Sequence, residues 1–215
     1  MARPRSDIAP RIVHAARARF LAEGVDVASL RRIARDAKTS VGMIYYYFPT
    51  KDVLFLAVVE EIYAKLIAEM ATALAPEVPV RERMRRLYAR FGSASEEELV
   101  VIQLVIREMI FSPVRRDLLL ERFARGHIPL VLGTLMDGMR DGSIDARRHI
   151  ALVVLSSVGV GIFAQVVRRI AGERFPIPDA PTGEALASGL TEILFEGIGP
   201  RRAPEHDTES ERRSP

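Results

Sequence analysis

Apolar residues recur along this chain at helical spacing, and the alternation expected of strands is nearly absent. Ile8, Ile12, Ala15, Ala16, Phe20 and Leu21 form the first stripe, which stops at Glu23-Gly24, a glycine signal for a helix C-terminus. Ser29 predicts the cap of a short helix bearing Leu30, Ile33, Ala34 and Ala37, and Ser40 that of another ending at Phe48-Pro49. Thr50 opens a longer helix with Val53, Leu54, Ala57, Val58, Ile62 and Leu66 on one face.

Beyond Pro76 and Pro79 the pattern coarsens into long helices. One is expected over about 80–91, and a second from Ser95, where Ser95-Glu96-Glu97-Glu98 has capping-box spacing, to Phe111. Ser112-Pro113 starts a segment reaching about Met139, in which Gly126 and Pro129 predict a kink or break. Asp145 is expected to open a very apolar helix to about Ile170, and a final helix spans about 183–197. Residues 200–215 (PRRAPEHDTESERRSP) have the composition of a disordered tail. The pattern is all-α, with about nine helices in a small N-terminal three-helix unit and a larger helical body.

Residues 150–167 carry only Ser156, Ser157 and Gln165 as polar side chains and reach the lower length limit of a membrane span. A single such segment, with Gly159 and Gly161 inside it, reads as a buried core or dimer-interface helix, so no membrane is expected. No apolar stretch follows Arg3 and Arg5, so no signal peptide is expected either.

Charge changes the picture. Residues 1–51 hold ten Lys/Arg against four Asp/Glu, a local charge of +6, which leaves −3 for the rest of a chain whose net charge is +3. A basic head on a mildly acidic body points to a polyanionic partner for the head alone. The absence of cysteine excludes disulfides and thiolate metal sites and fits a cytoplasmic protein.

The stretch 29–54, SLRRIARDAKTSVGMIYYYFPTKDVL, joins two short capped helices by about four residues, a helix-turn-helix pattern with its motif at 29–48. With Ile44 and Phe48 turned inward, Tyr46 and Gly42 point away from the core, Met43 lies near that outer face, and Val41, Tyr45 and Tyr47 flank it. Three consecutive tyrosines cannot share one buried face, so at least one phenol points outward, where it suits phosphates and base edges. Gly42 lets the backbone approach a groove. Lys51, in the first turn of the next helix, opposes the helix dipole and suits a phosphate.

These residues resemble the DNA-binding domain of the TetR family of bacterial regulators. The resemblance covers residues 7–60, through Phe20-Leu21-x-x-Gly24, Ser29-Leu30-x-x-Ile33-Ala34, Ser40-x-Gly42-x-Ile44-Tyr45 and Phe48-x-x-Lys51-x-x-Leu54. It implies that Ser29, Tyr45, Tyr47 and Lys51 contact phosphates and that Val41, Gly42, Met43 and Tyr46 lie at or near bases. Arg31 and Ser40 complete the candidate DNA-binding set. The inter-helix turn departs from the family's usual Gly-Val, having Lys38-Thr39, which asks Lys38 to adopt an unusual backbone angle.

The resemblance further implies a DNA-binding domain over 6–66 and an effector-binding and dimerisation domain over 67–199. The expected partners are a second copy of the chain, a near-palindromic duplex operator and a small-molecule effector that releases a repressor. Ligand-independent or activating regulation is the alternative. Candidate effector-lining residues are Met70, Leu104, Arg107, Glu108, Phe111, Phe123, His127, Leu130 and Gln165. An enzyme is the rival class, but His14, His127, His149 and His206 lack ligand spacing. Gly159-Val160-Gly161 lacks the Lys-Ser/Thr of a phosphate loop, so neither a catalytic site, a metal nor a cofactor is expected.

Overall fold

The computed structural model describes residues 7–171 and 181–198; the tail expected over 200–215 lies outside them. Among the described residues there are ten helices and no strand. The first four are α1 Ile8–Glu23, α2 Leu30–Asp36, α3 Val41–Tyr47 and α4 Lys51–Ala73. Then follow α5 Val80–Gly92, α6 Glu96–Phe111, α7 Pro113–Ala124 and α8 His127–Asp141. The last two are α9, continuous over 150–171, and α10 Gly183–Ile198.

The count exceeds nine because the chain breaks at Arg125-Gly126. A β-carbon at Gly126 would collide with the Tyr63 hydroxyl, so only glycine lets α8 start there. Pro129 then falls in the first turn of α8, where a missing amide proton costs no intrahelical bond.

Several caps form as their sequence signals imply. Ser40 accepts from the Met43 amide at 3.2 Å and Thr50 from the Val53 amide at 3.1 Å. Ser95 and Glu98 close both halves of a capping box at 3.2 and 2.7 Å. Ser112 accepts from the Arg115 amide, with Pro113 at the first helical position. Two expectations need correction. Ser29 occupies the N-cap position of α2, but its hydroxyl makes no capping bond. Asp145 does not open α9: its carboxylate closes a local turn on the Arg147 amide and guanidinium. The helix instead begins at Ile150, capped by His149 Nδ1, which accepts from the Ala151 amide at 3.2 Å.

Two apolar clusters hold the chain. The first buries Ile12, Ala16 and Phe20 of α1 against Ile33, Ile44, Leu54, Phe55 and Val58, and takes in Leu104 of α6 and Leu119 of α7. The second packs Met84, Leu87 and Tyr88 of α5 against Val131, Leu135, Val153, Leu194 and Phe195. The far end of α4, at Met70 and Leu74, belongs to this second cluster. Each enclosed Leu, Ile or Phe contributes roughly 1.5–3 kcal/mol. One rigid helix therefore has its two ends fixed in different cores.

Helix α9 departs from its expected form in two ways. Val158–Phe163 is a π-helical stretch between α-helical turns. The Tyr88 ring lies against Gly161, where no side chain fits, and its hydroxyl donates to the Ser157 carbonyl at 2.9 Å. An α-helix would give that carbonyl to the Gly161 amide, so the tyrosine both wedges the helix and takes its acceptor. Nor is α9 a buried core helix within one chain. Ile150–Arg169 is long and apolar enough to cross a membrane, yet only 28% of that window is buried. Leu152, Leu155, Val158, Phe163 and Val167 are exposed.

Gly161→Ala should therefore lower the melting temperature, because the Tyr88 ring has to move; overpacking of this kind costs about 1–3 kcal/mol, or a few degrees. Gly133→Ala, in α8 with open space where the methyl goes, should instead stabilise by about 0.5–1 kcal/mol. Thermal melts of the two variants check the contrast.

Candidate nucleic-acid interface and ligand cavity

The turn between α2 and α3 has a Schellman geometry. The Thr39 amide donates to the Ala34 carbonyl at 2.9 Å and the Lys38 amide to the Arg35 carbonyl at 3.0 Å. Lys38 carries φ of 52°, the left-handed angle its position demands, and is the only non-glycine among the described residues with positive φ. Arg11 of α1 braces this turn by donating to the Ala37 carbonyl at 2.8 Å.

On α3, Ile44 is buried, while Tyr46 and Tyr45 are 76% and 54% exposed. Tyr47 is half-buried against the first cluster, edge-on to Tyr46 with ring centroids 5.1 Å apart. Gly42 is exposed, and Val41 and Met43 are half-buried. Exposed Arg31 makes no ion pair among the described residues. By contrast Arg19 is paired with Asp36 and Glu23, and Arg32 with Glu23. Lys51 donates to the Asp26 carbonyl at 2.8 Å, which uses one of its three protons and holds the ammonium at the α1–α2 loop. Arg31, Gly42, Tyr45 and Tyr46 thus lie open on the helix-turn-helix surface, and Lys51 stands at its edge.

Directly behind Lys51 sits Arg115 of α7, a buried guanidinium with three carboxylate partners. Its Nε donates to Glu108 at 2.6 Å, Nη1 to Asp52 at 3.0 Å and Nη2 to Asp26 at 2.8 Å. Arg107 donates to Glu108 at 3.2 Å and to the Phe20 carbonyl at the end of α1 at 2.9 Å. Sequence reasoning did not single out Arg115. Its signal was available in the Ser112-Pro113 start, which places residue 115 in the first turn of a helix packed on α4.

The body contains a cavity of about 500 Å³ walled by α4, α5, α6, α7, α8 and α9. Of the expected lining residues, Met70, Phe123 and His127 face it. The others do not. Leu104 is packed in the first cluster, and Arg107 and Glu108 belong to the ionic network on another face of α6. Phe111 is 78% exposed at the end of that helix. Leu130 packs against the second cluster, and Gln165 is buried beside Gly92 with neither amide atom hydrogen-bonded. Helix α6 reaches the cavity instead through Val101, Ile102, Val105 and Ile106, whose wholly apolar side chains carry no sequence signal that separates a cavity wall from packed core. The α4 positions Val59, Ile62, Tyr63 and Leu66 were also missed.

The one polar pair on the wall is Tyr63 and His127. The His127 amide donates to the Tyr63 oxygen at 3.2 Å, and the tyrosine hydroxyl meets His127 Nδ1 at 2.8 Å. With its oxygen already accepting, Tyr63 donates to Nδ1, which makes the ring the neutral Nε2–H tautomer. Burial, with the Arg122 charge adding to it, holds the imidazole below its ordinary value.

Residues 12–58 match the model of the tetR family of bacterial regulatory proteins. No curated protein matches the chain significantly. Among solved structures, the fatty acid degradation regulator FadR of Bacillus halodurans shares the fold with a TM-score of 0.65 at 19% identity, over 88% of this chain and 98% of that one. FadR of Bacillus subtilis, solved with stearoyl-CoA, gives 0.68 at 19% identity with the same coverage. A TetR-like transcriptional regulator of Rhodococcus sp. RHA1 gives 0.64 at 23%, over 91% and 98%.

Two outcomes are expected from these sites. Arg115→Met should destabilise by roughly 3–5 kcal/mol by leaving buried Glu108 with only the longer Arg107 contact, and Arg115→Met with Glu108→Leu should recover much of that loss in denaturant titrations. As pH falls below about 6.5 the unfolded histidine takes up a proton that folded His127 resists, so stability is lost on the acid side. His127→Gln should flatten that part of the stability–pH curve.

Proposed function

We propose that this chain, built on the DNA-binding domain of the tetR family, is a transcriptional repressor that leaves its operator when a small molecule fills the body cavity. The carrying observation is the Arg115 network. Helices α6 and α7, which wall the cavity, are bonded through Arg115 and Arg107 to Asp26, Asp52 and the Phe20 carbonyl, at the base of the helix-turn-helix. A ligand that moves that wall changes the seating of α1 and α4, and hence of α3. The stearoyl-CoA bound by the Bacillus subtilis neighbour supports a ligand-responsive body in this fold.

In this reading residues to about 66 form the DNA-binding unit, acting in the cytoplasm on a near-palindromic operator. Tyr46, Gly42, Met43 and Val41 meet bases, while Ser29, Arg31, Ser40, Tyr45, Tyr47 and Lys51 meet phosphates or position the helix. A second copy covers Leu152, Leu155 and Val167 of α9 together with Ile193 of α10, exposed apolar residues clear of the cavity lining that a monomer would leave in water. The dimer sets two α3 helices roughly 34–36 Å apart, one turn of DNA.

The test is titration of operator-bound protein with a metabolite and drug library while occupancy of the body is followed separately. Ligands that fill the body without changing operator affinity defeat the coupling, and sedimentation as a monomer at micromolar concentration defeats the dimer. Lys51→Ala should weaken binding to all sequences alike and reduce the salt slope by about one unit or less per half-site. Tyr46→Ala should change base preference at defined operator positions, read by binding to a randomised site.

A further inference from the structure

We infer that the body cavity takes an uncharged, apolar ligand, an alkyl or alkyl-aromatic molecule, and that any charged group on it stays at the mouth. This rests on the reading of the cavity as the effector site and names the chemistry of its occupant.

The wall carries no charged side chain to pair with a charge on the ligand. Of its twenty lining side chains only Tyr63 and His127 carry polar atoms. Those two are engaged with each other, the hydroxyl with Nδ1 at 2.8 Å and with the His127 amide at 3.2 Å. The nearest cation, Arg122, stacks on the Tyr63 ring with its guanidinium carbon 4.5 Å from the centroid. Both donors that reach across from it go to Glu60, at 2.8 and 2.7 Å. Arg107 and Arg115 are held by Glu108 on another face of α6. A carboxylate or phosphate carried inside would lose its hydration with only the neutral His127 Nε2–H to replace it, and an ammonium would find no carboxylate. An alkyl chain gains wherever it touches this wall.

The opening is equally defined. Ile128, Val158 and Phe163 line the cavity and are 39%, 41% and 58% exposed, so the mouth lies between the start of α8 and the π-helical stretch of α9. A ligand charged at one end can leave that end there. One charged at both ends cannot.

That difference gives the test. The full chain is titrated with dimethyl dodecanedioate, its monomethyl ester and dodecanedioate at pH 7.5. The chain has no tryptophan, so calorimetry and ligand-induced thermal shift read the binding. Both esters should bind and raise the melting temperature, and the dianion should bind about a hundredfold more weakly, about 2.7 kcal/mol. Val105→Phe on α6 and Leu132→Phe on α8, each filling the cavity from a different side, should each weaken the diester at least tenfold. Two such variants guard against one failing to fold. A dianion within tenfold of the diester overturns the inference, as does failure of either ester to bind up to its solubility, or diester binding that neither folded variant weakens. Esters that bind as stated while operator affinity stays fixed leave this inference standing and remove the repressor-release reading instead.

Discussion

The Arg115 guanidinium is the point on which the two halves of this molecule turn. It is buried, always charged and satisfied only by Glu108, Asp52 and Asp26, which come from α6, α4 and the α1–α2 loop. A buried cation tolerates the loss of a partner poorly, so these elements hold their mutual positions or the whole cluster reorganises. The burial is uneven. Glu108 is nearly as enclosed as Arg115, whereas Asp26 is open to water, so the α6–α7 pair is the firm contact and the reach to the loop is the adjustable one. Asp26 also offers its backbone carbonyl to Lys51, so the same residue meets the network and the basic edge of α3's surface.

The cavity and the network divide α6 between them. Val101, Ile102, Val105 and Ile106 face an apolar void, and Leu104, Arg107 and Glu108 face the N-terminal half. No polar group of α6 serves both sides. A ligand can therefore act on the charged side only by displacing the helix as a body, since nothing conducts charge from the cavity across it. The Tyr63–His127 pair does the corresponding work for α4 and α8, joining them where Gly126 lets the chain turn.

The helix-turn-helix was legible in the sequence because its signals are local. Ser40 and Thr50 cap the next few amides, Gly24 ends α1, and Lys38 marks a left-handed position even without the usual glycine. Ser29 and Asp145 show where such signals stop. Each is a good capping residue in a plausible place, and each hydroxyl or carboxylate does something else or nothing for the helix. The body was legible as helices but not as faces. On α6 the positions 104, 107, 108 and 111 make as regular a stripe as 101, 102, 105 and 106, and only packing against α1 and α7 decides which one meets the void. Gln165 misled for a related reason: a polar residue in an apolar helix suggests a ligand, whereas here it is enclosed against Gly92.

The wide turn in α9 also bears on how this chain can drift over generations. Val153, Ser157, Gly161 and Gln165 are all buried and fall four residues apart. Along a regular α-helix three such steps would carry the stripe about 120° around the axis. The π-helical stretch takes up part of that drift, keeping Val153 and Gln165 both on the buried side of α9. Loss of a single residue between 158 and 163 would restore a regular helix and leave everything after it facing nearly as before, because the wide turn absorbs about one residue's 100°. A deletion here is thus tied to residue 88 on α5: a regular helix gives the Ser157 carbonyl back to its own backbone amide, and the Tyr88 hydroxyl loses its acceptor.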